Sequence, residues 1–172
     1  LKGALRLYDP DGKTSELLDA QSVEYVLLPD LDAVPAQPGN DLLMIGEGLS
    51  LRDQRRLGRD VFRLASAGWR VLLLAPTEGE MVPVSSDSPR PGRLVLDRVD
   101  TFRHQRKAVD VEQWFPGVPT MSRSLMLTGG NGEALLEVVP DVSGWAVCDL
   151  TYPATGGRIF CVMLDLVSRM QD

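Results

Sequence analysis

A chain of 172 residues, 44% hydrophobic and 24% charged, has the composition of an ordinary globular domain and is long enough for one sizeable core. Its net charge of −6 and pI near 4.8 argue against a general affinity for nucleic acid, because phosphate binding needs a net basic surface. No apolar run approaches the ~20 residues of a membrane span, no signal-peptide pattern is present, and two cysteines with one histidine are too few for a Cys/His zinc site.

The chain begins at Leu1 and enters an expected strand, residues 4–8, almost at once, which points to a domain cut from a longer protein and leaves localisation open. That strand closes in Asp9-Pro10-Asp11-Gly12, a strong turn signal. A short helix over 14–21 and a second strand over 23–28 complete one βαβ unit. Residues 29–40, with three prolines and two aspartates, read as a surface connection.

Residues 41–76 carry the clearest pattern. The runs 42–45 and 71–75 have almost no polar interruption, as expected for strands covered on both faces of a parallel sheet. Between them Ser50 is expected to cap a helix, with Asp53 as its capping-box partner and Gly68 as a left-handed stop. Leu57, Val61, Leu64 and Gly68 share one face of that helix. A crossover of this kind puts the loops 46–50 and 76–79 on one edge, where ligands of open α/β sheets sit.

Residues 77–92 are rich in Ser, Pro and Gly and read as a loop. A strand is expected over 93–99. The cluster of Arg103, His104, Arg106 and Lys107 reads as a solvated face, and 111–115 as a short helix or turn whose Trp114 and Phe115 cover the sheet. Strand-like runs follow at 125–127, 134–139, 145–150 and 158–164, with TYPATGG as a hairpin between the last two and IFCVML central in the sheet or next to its centre. Cys148 and Cys161 lie inside these runs and read as buried thiols, with a disulfide across the hairpin as the alternative. A helix begins at Leu166. With no internal repeat and no linker, residues 1–172 read as a single domain.

In DLLMIGEGL (41–49), the helix after it, GWRVLLLAP (68–76), the opening LRLYDPD (5–11) and the closing GGRIFCVMLDL (156–166), the chain resembles class I glutamine amidotransferase-like domains. It is most similar to the divergent ones attached to bacterial glycoside hydrolases, including those of β-galactosidase type. The resemblance implies an α/β fold: a three-layer, open, mostly parallel flavodoxin-like sheet with antiparallel strands in the C-terminal part. It also implies a Cys nucleophile on the sharp turn after 71–74, activated by a His and an acid that follow a late strand. That turn reads Leu74-Ala75-Pro76-Thr77 and the late strand Cys161-Val162-Met163-Leu164-Asp165, so two of the three triad positions are absent.

The polar groups left at the expected edge are Asp9, Asp11, Glu47, Thr77, Glu78 and Glu80. Paired carboxylates serve as acid and base or hold a divalent cation, though acidic loop residues also act as plain caps or solubilising groups. Gly46 and Gly48 either let backbone N–H groups approach a ligand or simply make a tight turn. No cofactor and no metal are expected. The resulting expectation is a non-catalytic accessory or assembly domain of a larger carbohydrate-active protein. Its partners would be the other domains of the parent chain, a second copy of itself, and carbohydrate through the parent. The alternative is a small-molecule hydrolase or ligand-binding domain with a relocated site using Asp9, Glu47, Glu78 and His104; a third reading is a sugar module stacking on Trp114 and Tyr152.

Overall fold

The computed structural model describes residues 3–77, 79–81, 93–98, 125–128, 134–138, 145–162 and 166–170. The expected basic cluster at 103–107, Trp114 and most of the loop 77–92 lie outside them. Strands β1 (Leu5–Tyr8), β2 (Val26–Leu27), β3 (Leu42–Ile45) and β4 (Arg70–Leu74) come first, followed by β5 (Gly79–Met81) and β6 (Arg93–Arg98). Strands β7 (Leu125–Thr128), β8 (Ala134–Val138), β9 (Trp145–Tyr152) and β10 (Gly157–Val162) complete the set. Seven of them form one mixed, mostly parallel sheet in the order β2-β1-β3-β4-β10-β9-β6. The first five run parallel, while β9 pairs antiparallel with both β10 and β6. A separate three-stranded sheet, β5-β7-β8, is an addition that the strand-like runs of the sequence do not distinguish from the main sheet.

Side chains alternate across a strand, so each apolar run of the main sheet feeds two cores. On one face Leu43, Ile45, Val71, Leu73, Ile159 and Cys161 pack under helix α2 (Leu57–Ser66), which contributes Val61, Phe62, Leu64 and Ala65. On the other, Leu74, Val147 and Val162 meet helix α3 (Leu166–Met170) through Val167, with Leu17 of α1 (Lys13–Ala20) packed against them. The result is a three-layer α/β arrangement. Each fully buried Val, Leu, Ile or Phe side chain among them contributes about 1.5–3 kcal/mol relative to exposure. No helix among the described residues is long and apolar enough to cross a membrane.

Helix α2 ends as its sequence predicts: Gly68 takes φ 105°, its N–H bonds to Ala65 O, and the Trp69 N–H reaches back to Leu64 O, the paired bonds of a Schellman motif. Its start differs. The Asp53 N–H does bond to Ser50 Oγ at 3.1 Å, but the helix proper begins at Leu57. One helical turn does form at Ser50, whose carbonyl accepts the Gln54 N–H at 2.9 Å, but the next bond runs from the Leu57 N–H to Gln54 O and the turn is not continued; residues 49–51 are meanwhile tied to the chain leaving β4, Leu51 N–H donating to Thr77 O and Thr77 N–H to Leu49 O. Strand β2 is also shorter than the expected 23–28. The Val23 N–H still closes α1 by bonding to Leu18 O, and only Val26 and Leu27 pair with β1, on the sheet edge. The connection 29–40 is less superficial than its composition indicates, since Leu31 and Val34 are buried and Trp69 Nε1 donates to Pro35 O at 3.1 Å.

Strand β10 lies inside the sheet between β4 and β9, as its apolar run predicts, and the hairpin with β9 places Cys161 opposite Cys148. Both are buried thiols, and the cross-hairpin disulfide is not formed.

Candidate functional site

Parallel strands end on a common edge, so β1, β3 and β4 deliver Asp9, Gly46-Glu47-Gly48 and Ala75-Pro76-Thr77 to one place. Backbone bonds hold the three strand ends together: Gly46 N–H to Tyr8 O at 2.9 Å and Gly48 N–H to Leu74 O at 3.3 Å, with the Thr77 hydroxyl donating to Gly48 O at 3.4 Å. Five expected site residues are therefore neighbours here. Asp11 points from the turn into solvent. Glu78 and His104 lie outside the described residues.

Glu47 is 2% exposed, and its carboxylate is fully engaged. One oxygen accepts the Val167 N–H at 2.6 Å; the other accepts the Ser168 N–H at 2.9 Å and the Ser168 hydroxyl at 2.6 Å. First-turn N–H groups have no partner within their own helix, and an acidic side chain supplies one. Glu47 thus clamps α3 onto the sheet across 120 residues of sequence. Its own N–H donates to the hydroxyl of buried Thr14, fastening α1 to the same point.

Asp9 is also buried. Its Oδ2 accepts the Ser15 N–H at 2.8 Å, which holds α1 against the end of β1, while Oδ1 has no partner among the described residues. Gly46 is what leaves room for it: a Cβ there would overlap Oδ1 and lie 2.8 Å from Cγ. The first glycine of IGEG accordingly serves a side chain of the protein itself.

After β4, Ala75 adopts φ 35°, in the left-handed region that a methyl-bearing residue rarely occupies, with its N–H donating to Val162 O at 2.6 Å. The strand end therefore makes a sharp, strained turn.

Neither cysteine is poised for nucleophilic chemistry. Burial, and then the nearby Asp149 charge, push Cys148 up to about 12, and burial raises Cys161 as well. At pH 8 both thiols are expected to resist a chromogenic disulfide reagent in the native protein and to react together on unfolding in guanidinium; rapid native labelling of either one would contradict their burial. Tyr152, read from the sequence as a stacking surface, is 2% exposed and belongs to the core, so no sugar face can reach it.

The same edge holds a cleft of about 440 Å³ that the sequence reading misses. It opens beside Tyr8, the last residue of β1, between the turn at 30–32 and the turns at 53–57. The Tyr8 hydroxyl donates to Gln54 Oε1 at 3.3 Å, and burial followed by the charges of Asp30 and Asp11 raises its pKa. A signal was available: β2 and β3 lie on opposite sides of β1, and this reversal of strand order marks a crevice. Among the described residues, no group of three or more His, Cys, Asp or Glu side chains is arranged to hold a metal ion.

No family model matches the chain, and neither a curated protein nor a solved structure shows significant similarity to it.

Proposed function

We propose that this chain is a non-catalytic accessory or assembly domain on an amidotransferase-like, flavodoxin-like scaffold, carried by a larger protein of glycoside-hydrolase type. Support for the scaffold comes from the run β2-β1-β3-β4-β10, which has the 2-1-3-4-5 order of flavodoxin-like sheets. The observation that carries the non-catalytic reading is Ala75. Its left-handed backbone costs ~1–2 kcal/mol and occurs at the turn where the resemblance locates a nucleophile, yet the side chain offered there is a methyl. The neighbouring carboxylate, Glu47, is committed to α3. On this reading the edge has kept its sharp geometry and turned its polar groups to holding the domain together. Its partners are the other domains of the parent chain, a second copy, and carbohydrate bound through the parent.

Two measurements test this. Purified protein incubated with glutamine or a p-nitrophenyl ester is expected to give no turnover above buffer; turnover that Glu47→Gln abolishes in folded protein would overturn the assignment. The gene is expected to encode a glycoside-hydrolase catalytic barrel in the same reading frame, and a frame without one contradicts the parentage.

A further inference from the structure

The cleft beside Tyr8 lies at the carboxyl end of β1, between the turn that follows β2 and the turn that leads into α2, on the edge where ligands of open α/β sheets bind, and its volume of about 440 Å³ suits a small molecule. Buried Leu31 and Leu57 give it apolar lining, and the half-buried Tyr8 adds an aromatic ring. Its charges are unevenly satisfied. Asp53 pairs with Arg52 at 3.5 Å and Asp60 with Arg63 at 3.3 Å, while Arg63 also lies 4.0 Å from Asp32. Asp30 accepts the Ala33 N–H at 2.8 Å. Arg55 and Arg56 line the same cleft, are exposed, and have no side-chain hydrogen bond or ion pair among the described residues. Two guanidinium forks are thus left for a ligand, in a wall that also offers carboxylate acceptors.

We infer that this cleft binds a small acidic sugar, a polyhydroxyl ring bearing a carboxylate or a phosphate. Arg55 and Arg56 hold the oxyanion, because a planar guanidinium matches carboxylate and phosphate geometry with paired N–H donors. Asp30 and Asp32 accept from ring hydroxyls, and the face of Tyr8 covers the apolar side of the ring. A neutral sugar forgoes the arginines. A bare, compact anion forgoes the ring contacts. This ligand site goes beyond the accessory role and does not depend on it, because its test reads binding and not turnover.

The test is an NMR titration of the whole chain at low salt with glucuronate, glucose 6-phosphate, glucose and inorganic phosphate. At least one acidic sugar is expected to bind saturably and shift the Tyr8 and Gln54 amides, the tighter of the two identifying the oxyanion. Glucose and inorganic phosphate are expected to bind at least about tenfold more weakly. Arg55→Gln/Arg56→Gln should weaken acidic-sugar binding at least about tenfold, since both side chains are exposed and the variant keeps its fold. Arg59→Gln, exposed on α2 outside the cleft, should leave binding unchanged. Absence of saturable binding by either acidic sugar overturns the inference. So does glucose or phosphate binding as tightly as they do, or an unaffected double variant.

Discussion

Glu47→Ala is expected to lower the thermal unfolding midpoint by about 6–12 °C, a loss of roughly 3 kcal/mol in a domain of this length. The variant leaves the Val167 N–H, bonded at 2.6 Å in the native protein, with no acceptor in a buried setting, and the Ser168 N–H and hydroxyl lose theirs. An unmet buried donor costs about 1–3 kcal/mol, more where the lost partner was charged. The damage should begin locally: α3 loosens, Val167 leaves its contacts with Leu74 and Val162, and that face of the sheet is exposed. Glu47→Gln keeps an acceptor oxygen and the shape of the side chain, so it should cost about half as much. A residue placed for acid–base chemistry would behave differently, since its removal commonly leaves stability unchanged or improves it.

The second large effect is expected at Gly157, the first residue of β10. A Cβ added there would overlap the carbonyl oxygen of Ala65 and lie 2.8 Å from its carbon and 3.1 Å from the Gly68 Cα. All three are backbone atoms, so no rotamer change relieves the contact; the C-terminal end of α2 must move off the sheet. Gly157→Ala is expected to cost about 3 kcal/mol or more, beyond the usual range for overpacking, because the displacement also opens the contacts of Ala65 with the core. Its neighbour supplies the control. Gly156 has φ 76° and open space around it, so Gly156→Ala meets backbone strain alone, about 1–2 kcal/mol. Denaturant unfolding of the two variants should separate them clearly, and equal losses would contradict the close approach of α2 to β10.

Much of this architecture is legible in the sequence where the governing forces are local. The unbroken apolar runs LLMI and VLLL, the left-handed stop at Gly68 and the turn-rich TYPATGG each carry their own composition or backbone signature, and they correspond to β3, β4, the end of α2 and the β9–β10 hairpin. What escapes is set by distant partners. Residues 49 and 51 are tied to Thr77 across the sheet edge, a pairing that no local pattern marks. The site follows the same rule. Asp9, Gly46, Glu47, Gly48 and Thr77 are brought together because parallel strands share an edge, which the pattern foretells. The occupant of Glu47, however, is a helix end 120 residues away that no local spacing announces. The cleft escapes for a related reason: Tyr8 comes from the end of β1 and Asp30 and Arg55 from two separate turns, and none carries a motif.

The Glu47 carboxylate at the heart of the sheet edge is structural. Native-state hydrogen exchange tests it most directly, comparing the unmodified protein with Glu47→Ala. The Val167 and Ser168 amides are expected to be protected in the unmodified protein and to exchange at near-unfolded rates in the variant, while amides of β3 and β4 remain slow. Fast exchange at Val167 in the unmodified protein, or unchanged protection there once Glu47 is gone, would contradict it.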